Sequence, residues 1–134
     1  MDLIKISPDK EKARSILKMI SLLEERIKTQ EKKKMAALII TDYYEIVKEL
    51  ITAILLSEGY KTLSHKDLID YLKERYSVQF SVNDISNLND LRVLKNRVDH
   101  EGFFIEPSYL EKNEDLFKNI IKKLKEMLID KLNK

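Results

Sequence analysis

The sequence predicts an all-α protein, an up-and-down bundle of four to five helices. Only two glycines and two prolines occur among 134 residues, so the chain lacks the frequent turns of a β-sandwich or a barrel. Apolar residues recur at intervals of three and four over long segments, which is typical of amphipathic helices. Residues that start and end helices bound these segments. A single domain is expected over residues 1–134.

The first two helices are predicted over about residues 8–29 and 34–58. Ser7 and Pro8 favour a helix start, because Ser accepts from an unpaired amide and Pro lacks the N–H that would be unpaired there. Gly59 can end the second helix in the left-handed conformation. The polar residues of this helix fall within an arc of about 120°, which leaves an unusually wide apolar face. It is expected to lie at the centre of its own bundle or to be shared with a second subunit.

Capping residues predict where the other three helices begin. The sequences Ser64–Asp67 and Ser81–Asp84 favour capping boxes at the start of the third and fourth helices. The third helix should end near Tyr76, and the fourth should end before Gly102. Pro107 opens the fifth helix. Its predicted buried face consists of Leu110, Leu116, Phe117, Ile120, Ile121, Leu124, Leu128 and Leu132.

Composition excludes several function classes. The absence of Cys excludes a disulfide scaffold, a thiolate zinc site and a Cys nucleophile. The sequence contains neither a Gly-rich phosphate loop nor His-Glu-x-x-His, so no metal or other cofactor is expected. The formal charges of residues 1–34, 35–110 and 111–134 are +4, −4 and +2. These charges differ from the strongly basic composition of a dedicated nucleic-acid-binding protein. Any contact with nucleic acid would involve the two ends of the chain, which are basic.

The most apolar region, Met35–Leu56, contains four charged residues, so no membrane partner is expected. The N-terminal segment lacks the basic start and apolar centre of a secretory signal. The predicted location is the cytoplasm.

The two histidines differ in their surroundings. His65 begins the third helix, where a solvated polar residue is ordinary. His100 is predicted to point away from the core face of the fourth helix, which is formed by Leu91, Leu94 and Val98. Asn96 and Arg92 precede His100 by four and eight residues and form one row with it. The row offers an imidazole that can act as a base, an amide and a guanidinium. The alternative is a solvated helix face that carries a histidine by chance.

The segment Leu94–Phe104, with the sequence LKNRVDHEGFF, resembles the signature helix of HEPN domains, whose pattern is Arg-Asn-x-x-x-His. It is most similar to a set of short archaeal HEPN proteins that continue with Gly-Phe-Phe. The segments Asp42–Leu50 and Glu58–Lys61 are similar to the same family. The resemblance therefore covers about residues 8–130.

The resemblance implies a HEPN-like bundle that forms a homodimer, with the signature helices facing a cleft between the subunits. Active members are metal-independent ribonucleases, often toxins of toxin–antitoxin pairs whose antitoxin is a minimal nucleotidyltransferase. Other members have lost the motif and act as binding or scaffolding domains. The implied catalytic residues are Asn96 and His100, with Lys95 in place of the motif's arginine. Members that their partner modifies carry Tyr at the position of Gly102, so control by nucleotide transfer is not expected here.

Lys95 is the main departure from the motif. Arginine holds a phosphate through a planar fork of donors, whereas lysine provides a point charge. In the implied mechanism, His100 transfers the proton of a ribose 2′-hydroxyl while a cation stabilises the phosphate. Lys95 and His100 lie about 140° apart around one helix, so a dimer or an unwound helix end is needed to bring them together. Arg92 and Arg97 are the alternative phosphate-binding cations.

Three functions remain open from the sequence. The first is a dimeric HEPN-type RNase of a toxin–antitoxin pair. The second is a non-catalytic HEPN dimer that binds a nucleotidyltransferase partner or a nucleotide, which the lysine substitution and the acidic middle of the chain favour. The third is a helical adaptor with no role toward RNA.

Overall fold

The computed structural model describes all 134 residues and confirms the all-α prediction. The five helices are α1 (Lys10–Thr29), α2 (Ala36–Glu58), α3 (His65–Arg75), α4 (Val82–Glu101) and α5 (Pro107–Leu132). Two short strands, β1 (Ile4–Lys5) and β2 (Tyr60–Lys61), form an antiparallel pair. These two-residue strands were not predicted, because they are too short to show an alternating pattern.

Helix α2 lies at the centre of the bundle. It contacts each of the other four helices, and most of its residues are buried, including Ile39, Ile46 and Leu50. The wide apolar arc of α2 is therefore covered within one chain, as the first of the two sequence-based alternatives predicts. This arc gives no reason to expect a second subunit, and the predicted homodimer must rest on another surface.

Helix α1 begins later than predicted. Its N-terminal cap is Asp9, whose carboxylate accepts from the Lys12 amide, and Ser7 lies outside the helix. The later start of α1 results from a contact between two segments that are far apart in the sequence. The amides of Ile6 and Asp9 donate to the carbonyls of Gly59 and Leu56 at 2.9 and 2.8 Å, which holds the residues between them against the end of α2.

Gly59 permits this close approach. It ends α2 with a φ of 90°, which side chains rarely adopt. A Cβ at this position would also lie 2.9 Å from the carbonyl oxygen of Ile6. Any larger residue would push the N-terminal segment away from α2.

The two predicted capping boxes have different outcomes. At α4, Ser81 accepts from the Asp84 amide and Asp84 accepts from the Ser81 amide, so the box is complete. At α3, Ser64 accepts from the Asp67 amide, but the Asp67 carboxylate accepts from the amide of Asp2 instead of reaching back. The prediction of a full box there is wrong, because the N-terminal segment competes for the carboxylate.

The buried face of α5 is confirmed except at one position. Leu116 is only partly buried, whereas Glu114, which was not predicted to face the core, is 7% exposed. Asp42, placed on the polar arc of α2, is also buried, and its carboxylate accepts hydrogen bonds from Arg26 of α1 and from Gln30, which follows α1.

None of the helices combines the length and the apolar character that crossing a membrane requires.

Candidate functional site

The two halves of α4 have different environments. The first half buries Ile85, Leu88 and Leu91, while no residue from position 92 to the end of the helix is buried. Leu94 and Val98, predicted as core residues, are partly buried at the edge of the core. The C-terminal half of α4 therefore rests on the bundle by one side only.

Four residues of this half lie together around one hollow, and the exposed Phe104 follows the helix three residues after its end. We call this set, Val93, Asn96, Arg97, His100 and Phe104, the α4 surface. The first four, together with Glu101, line a shallow hollow of about 250 Å³. The structure therefore brings Asn96 and His100 together, and His100 is exposed as predicted. An imidazole that gives or takes a proton lies beside an amide that can donate a hydrogen bond.

Arg97 is the one Lys or Arg side chain that lines the hollow with this pair. Its Nε donates to Glu101 Oε2 at 3.1 Å, and its guanidinium lies 3.7 Å from the centre of the Phe103 ring. The ion pair and the cation–π contact hold the side chain at the edge of the hollow. The Arg97 side chain as a whole is 47% exposed.

Lys95 belongs to a different surface. Its Nζ lies 2.6 Å from Asp99 Oδ2, and its side chain is only 20% exposed. Lys95 and Asp99 line a groove between α1, α2 and α4, together with acidic residues of α2 such as Glu45 and Glu49. One chain therefore does not place Lys95 beside His100, in agreement with their predicted separation around the helix.

Arg92 does not join the hollow either. Residues four apart on a helix are offset by about 40°, so two such steps turn Arg92 about 80° away from His100. Its charge acts on Tyr44 of α2 instead, and its Nε is buried without a hydrogen-bond partner. Arg92, Asn96 and His100 follow one another along α4 at intervals of four residues, as predicted. The prediction that all three side chains share one surface is wrong, because Arg92 lies outside the hollow.

His65 has a more specific environment than its sequence suggests. Its ring lies 6.0 Å from that of Tyr44, and burial together with the nearby Lys48 and Lys95 lowers the pKa of His65. Burial also raises the pKa of Tyr44 to about 12, and Arg92 partly offsets this rise. These contacts depend on how α3 packs on α2, so no local sequence signal predicts them.

A buried polar network on the other side of α2 was also missed. Tyr43 donates to Glu114 Oε2 at 2.6 Å, and Lys32 Nζ donates to Oε1 at 2.7 Å. Although burial alone would raise the pKa of Glu114, the hydrogen bonds from Lys32 and Tyr43 lower it. One signal was available: Glu114 follows Leu110 by four residues and precedes Phe117 by three, which places it on the apolar face of α5.

Comparison with family models, with curated proteins and with solved structures finds no match for this chain. No group of three or more His, Asp or Glu side chains is arranged to hold a metal ion. The α4 surface therefore has to be interpreted from its own chemistry: one imidazole, one amide and one partly engaged guanidinium.

Proposed function

We propose that this chain is a HEPN-like cytoplasmic protein of a toxin–antitoxin pair, and that it acts as a homodimer that cleaves RNA without a metal ion. The observation that supports the proposal is that the exposed His100 and the partly buried Asn96 line the same hollow of the α4 surface. The resemblance of residues 94–104 to the HEPN signature supports it as well.

Each side chain of the pair has a defined role in this reaction. His100 takes the proton of a ribose 2′-hydroxyl, and the oxygen attacks the neighbouring phosphorus. The bond to the 5′-oxygen breaks, leaving a cyclic 2′,3′-phosphate, and His100 of a second copy protonates the departing oxygen. Asn96 donates to a phosphate oxygen, and Arg97 provides positive charge for the pentavalent phosphate.

The surroundings of the pair favour a second copy as the partner of this surface. Val93 lines the hollow with His100 and is 48% exposed, and Phe104, four residues after His100 in the sequence, is 87% exposed. In a two-fold dimer the same surface meets itself, which places the two imidazoles close to the axis and covers both apolar residues.

The experiment is an RNA cleavage assay in EDTA with the purified protein. We expect the wild type to cleave and His100→Ala to be inactive. The matched control is His65→Ala, which removes the only other histidine, and it should cleave like the wild type. Cleavage that survives in His100→Ala, or that EDTA abolishes, contradicts the proposal.

One observation favours a second function, a non-catalytic dimer that binds a minimal nucleotidyltransferase partner or a nucleotide. Lys95 is paired with Asp99 on another surface, and Arg97 is paired with Glu101, so His100 has no unpaired cation beside it. Under this alternative, wild type does not cleave RNA in the same assay. A nucleotidyltransferase encoded beside the gene would instead form a complex that His100→Ala retains.

A further inference from the structure

Arg92 is the one arginine that the fold leaves without a partner. Of the five arginines in the chain, three donate to a carbonyl or a carboxylate, and a fourth lies over two tyrosine rings. Arg92 makes neither kind of contact, and its Nε is buried with no acceptor. Burial keeps water from this donor, so the guanidinium is poorly solvated. A bound anion would therefore stabilise it more than it would stabilise a fully exposed arginine.

The α3–α4 hairpin brings His65 to the same place as Arg92. Helices α3 and α4 pack on each other and are joined by only six residues, 76–81, so they run back along one another. His65 lies ten residues before the end of α3 and Arg92 ten residues after the start of α4. Each is therefore about 15 Å from the connection, at the open end of the hairpin. Tyr44 of α2 lies close to both, because its ring is 6.0 Å from that of His65 and the charge of Arg92 acts on its hydroxyl.

The carboxylates around this open end already have partners. Glu45 and Glu49 pair with Lys48, Asp70 pairs with Lys66, Asp99 pairs with Lys95, and Asp67 accepts from the amide of Asp2. None of these carboxylates forms an ion pair with Arg92. The counter-ion that Arg92 lacks therefore has to come from outside the chain.

We propose that the open end of the α3–α4 hairpin binds a phosphate group between Arg92 and His65. The terminal nitrogens of the guanidinium donate to two phosphate oxygens, and the imidazole N–H of His65 donates to a third. A tetrahedral dianion suits this pair because it offers acceptors in several directions, whereas the two oxygens of a carboxylate would be used by the guanidinium alone. Neither residue lines the hollow of the α4 surface, so this site is separate from the one that would cleave RNA.

Three probes test the recognition in amide-resolved NMR titrations of the whole protein. They are inorganic phosphate, AMP, which carries the same group on a nucleoside, and adenosine, which lacks it. We expect phosphate and AMP to shift the amides around His65 and Arg92, and adenosine to leave them unchanged. Tighter binding of AMP would support a nucleotide as the source of the group, and equal binding would support free phosphate. Binding of adenosine as tight as that of AMP, or shifts confined to other parts of the molecule, would overturn the proposal.

The imidazole of His65 reports directly on an anion beside it. The groups around His65 are Tyr44, Glu45 and Lys48 of α2, Arg92 and Lys95 of α4, and Lys66, the next residue on α3. Burial and the nearby cations lower the pKa of His65 in the free protein. A bound anion should raise this pKa, because it stabilises the imidazolium. Sulfate stays doubly charged over the range in which histidine titrates, so it replaces phosphate in this measurement. A pKa of His65 that saturating sulfate leaves unchanged would contradict the site.

A matched pair of variants tests the guanidinium. Arg92→Gln should weaken phosphate binding by roughly tenfold or more, because a charged donor is lost. Arg92→Lys should weaken it less, since the charge remains and only the planar fork is lost. The control, Arg75→Gln, removes the same charge from the other end of the hairpin and should bind like the wild type. Sulfate should also no longer raise the pKa of His65 in Arg92→Gln. Equal weakening in Arg92→Gln and Arg75→Gln would reduce the effect to net charge and overturn the proposal.

Discussion

Lys95 and His100 lie five residues apart on α4 and face different surfaces of the protein. Lys95 pairs with Asp99 at 2.6 Å in a groove against α2, while His100 is exposed in a hollow with Asn96. A single chain therefore separates the cation from the imidazole that the HEPN-like motif would combine. An RNase site on this protein must use Arg97, or charge contributed by a second copy.

The first prediction concerns stability. His100→Ala should change the free energy of unfolding by no more than about 0.5 kcal/mol, since an exposed side chain loses little packing. Leu91→Ala, on the buried side of the same helix, should cost about 2–5 kcal/mol. Leu94→Ala should fall between the two, because Leu94 is only partly buried. Urea denaturation provides the comparison, and a larger loss for His100→Ala than for Leu91→Ala would contradict the observed orientation of α4.

The second prediction concerns the departure from the motif. Lys95→Arg alone should change RNA cleavage little, because Asp99 would hold the new guanidinium as it now holds the lysine. Combining Lys95→Arg with Asp99→Asn removes that ion pair, but the guanidinium still lies in the groove against α2 and away from His100, so cleavage should again change little. The triple variant that adds His100→Ala must be inactive. Cleavage by the triple variant would indicate another site or a contaminating nuclease.

The third prediction concerns the network around Glu114. Glu114→Ala should destabilise the protein by about 1–3 kcal/mol, because it leaves the buried Tyr43 hydroxyl without its acceptor. Tyr43→Phe should cost only about 1 kcal/mol, since Lys32 still pairs with the carboxylate. Thermal and urea unfolding of both variants test this order. The reverse order would mean that the Tyr43 hydroxyl does not depend on Glu114.

The fourth prediction concerns pH. The pKa of His65 is lowered in the folded protein by burial and by Lys48 and Lys95. The unfolded chain therefore binds a proton more readily, and stability falls as the pH drops through about 6.5, the ordinary pKa of histidine. His65→Gln removes this proton uptake. The melting temperature of the variant should therefore rise relative to that of the wild type as the pH falls from 7 to 5. Parallel curves for the two proteins over this range would contradict the assigned environment of His65.

The sequence predicted the features that local chemistry decides. The end of α2 at Gly59, the end of α4 at Gly102 and the capping box at Ser81 each depend on one residue or on neighbours within four positions, and all three are confirmed. The outward direction of His100 was predictable for the same reason, because the helix period alone fixes it.

Contacts between distant segments decided what the sequence could not predict. Asp9 replaces Ser7 as the cap of α1 because the end of α2 binds the residues before it. Asp42 and Glu114 are buried because their partners come from other elements of the bundle. Arg92 acts on Tyr44 of α2 because each step of four residues rotates the side chain by about 40° around the helix axis. Spacing by four residues alone therefore does not show that Arg92 and His100 face different directions.

The most direct test of the central claim is whether the α4 surfaces of two copies meet. The chain contains no cysteine, so Val93→Cys introduces a single thiol beside His100, and Val78→Cys introduces one at a 94% exposed control position between α3 and α4. The measurement is the yield of covalent dimer after a short thiol-to-thiol crosslinker is added to dilute protein. We predict efficient crosslinking at position 93, loss of that product when Phe104→Asp is added, and little product at position 78. Equal yields at the two positions, or none at position 93, would contradict a functional dimer built on the α4 surface.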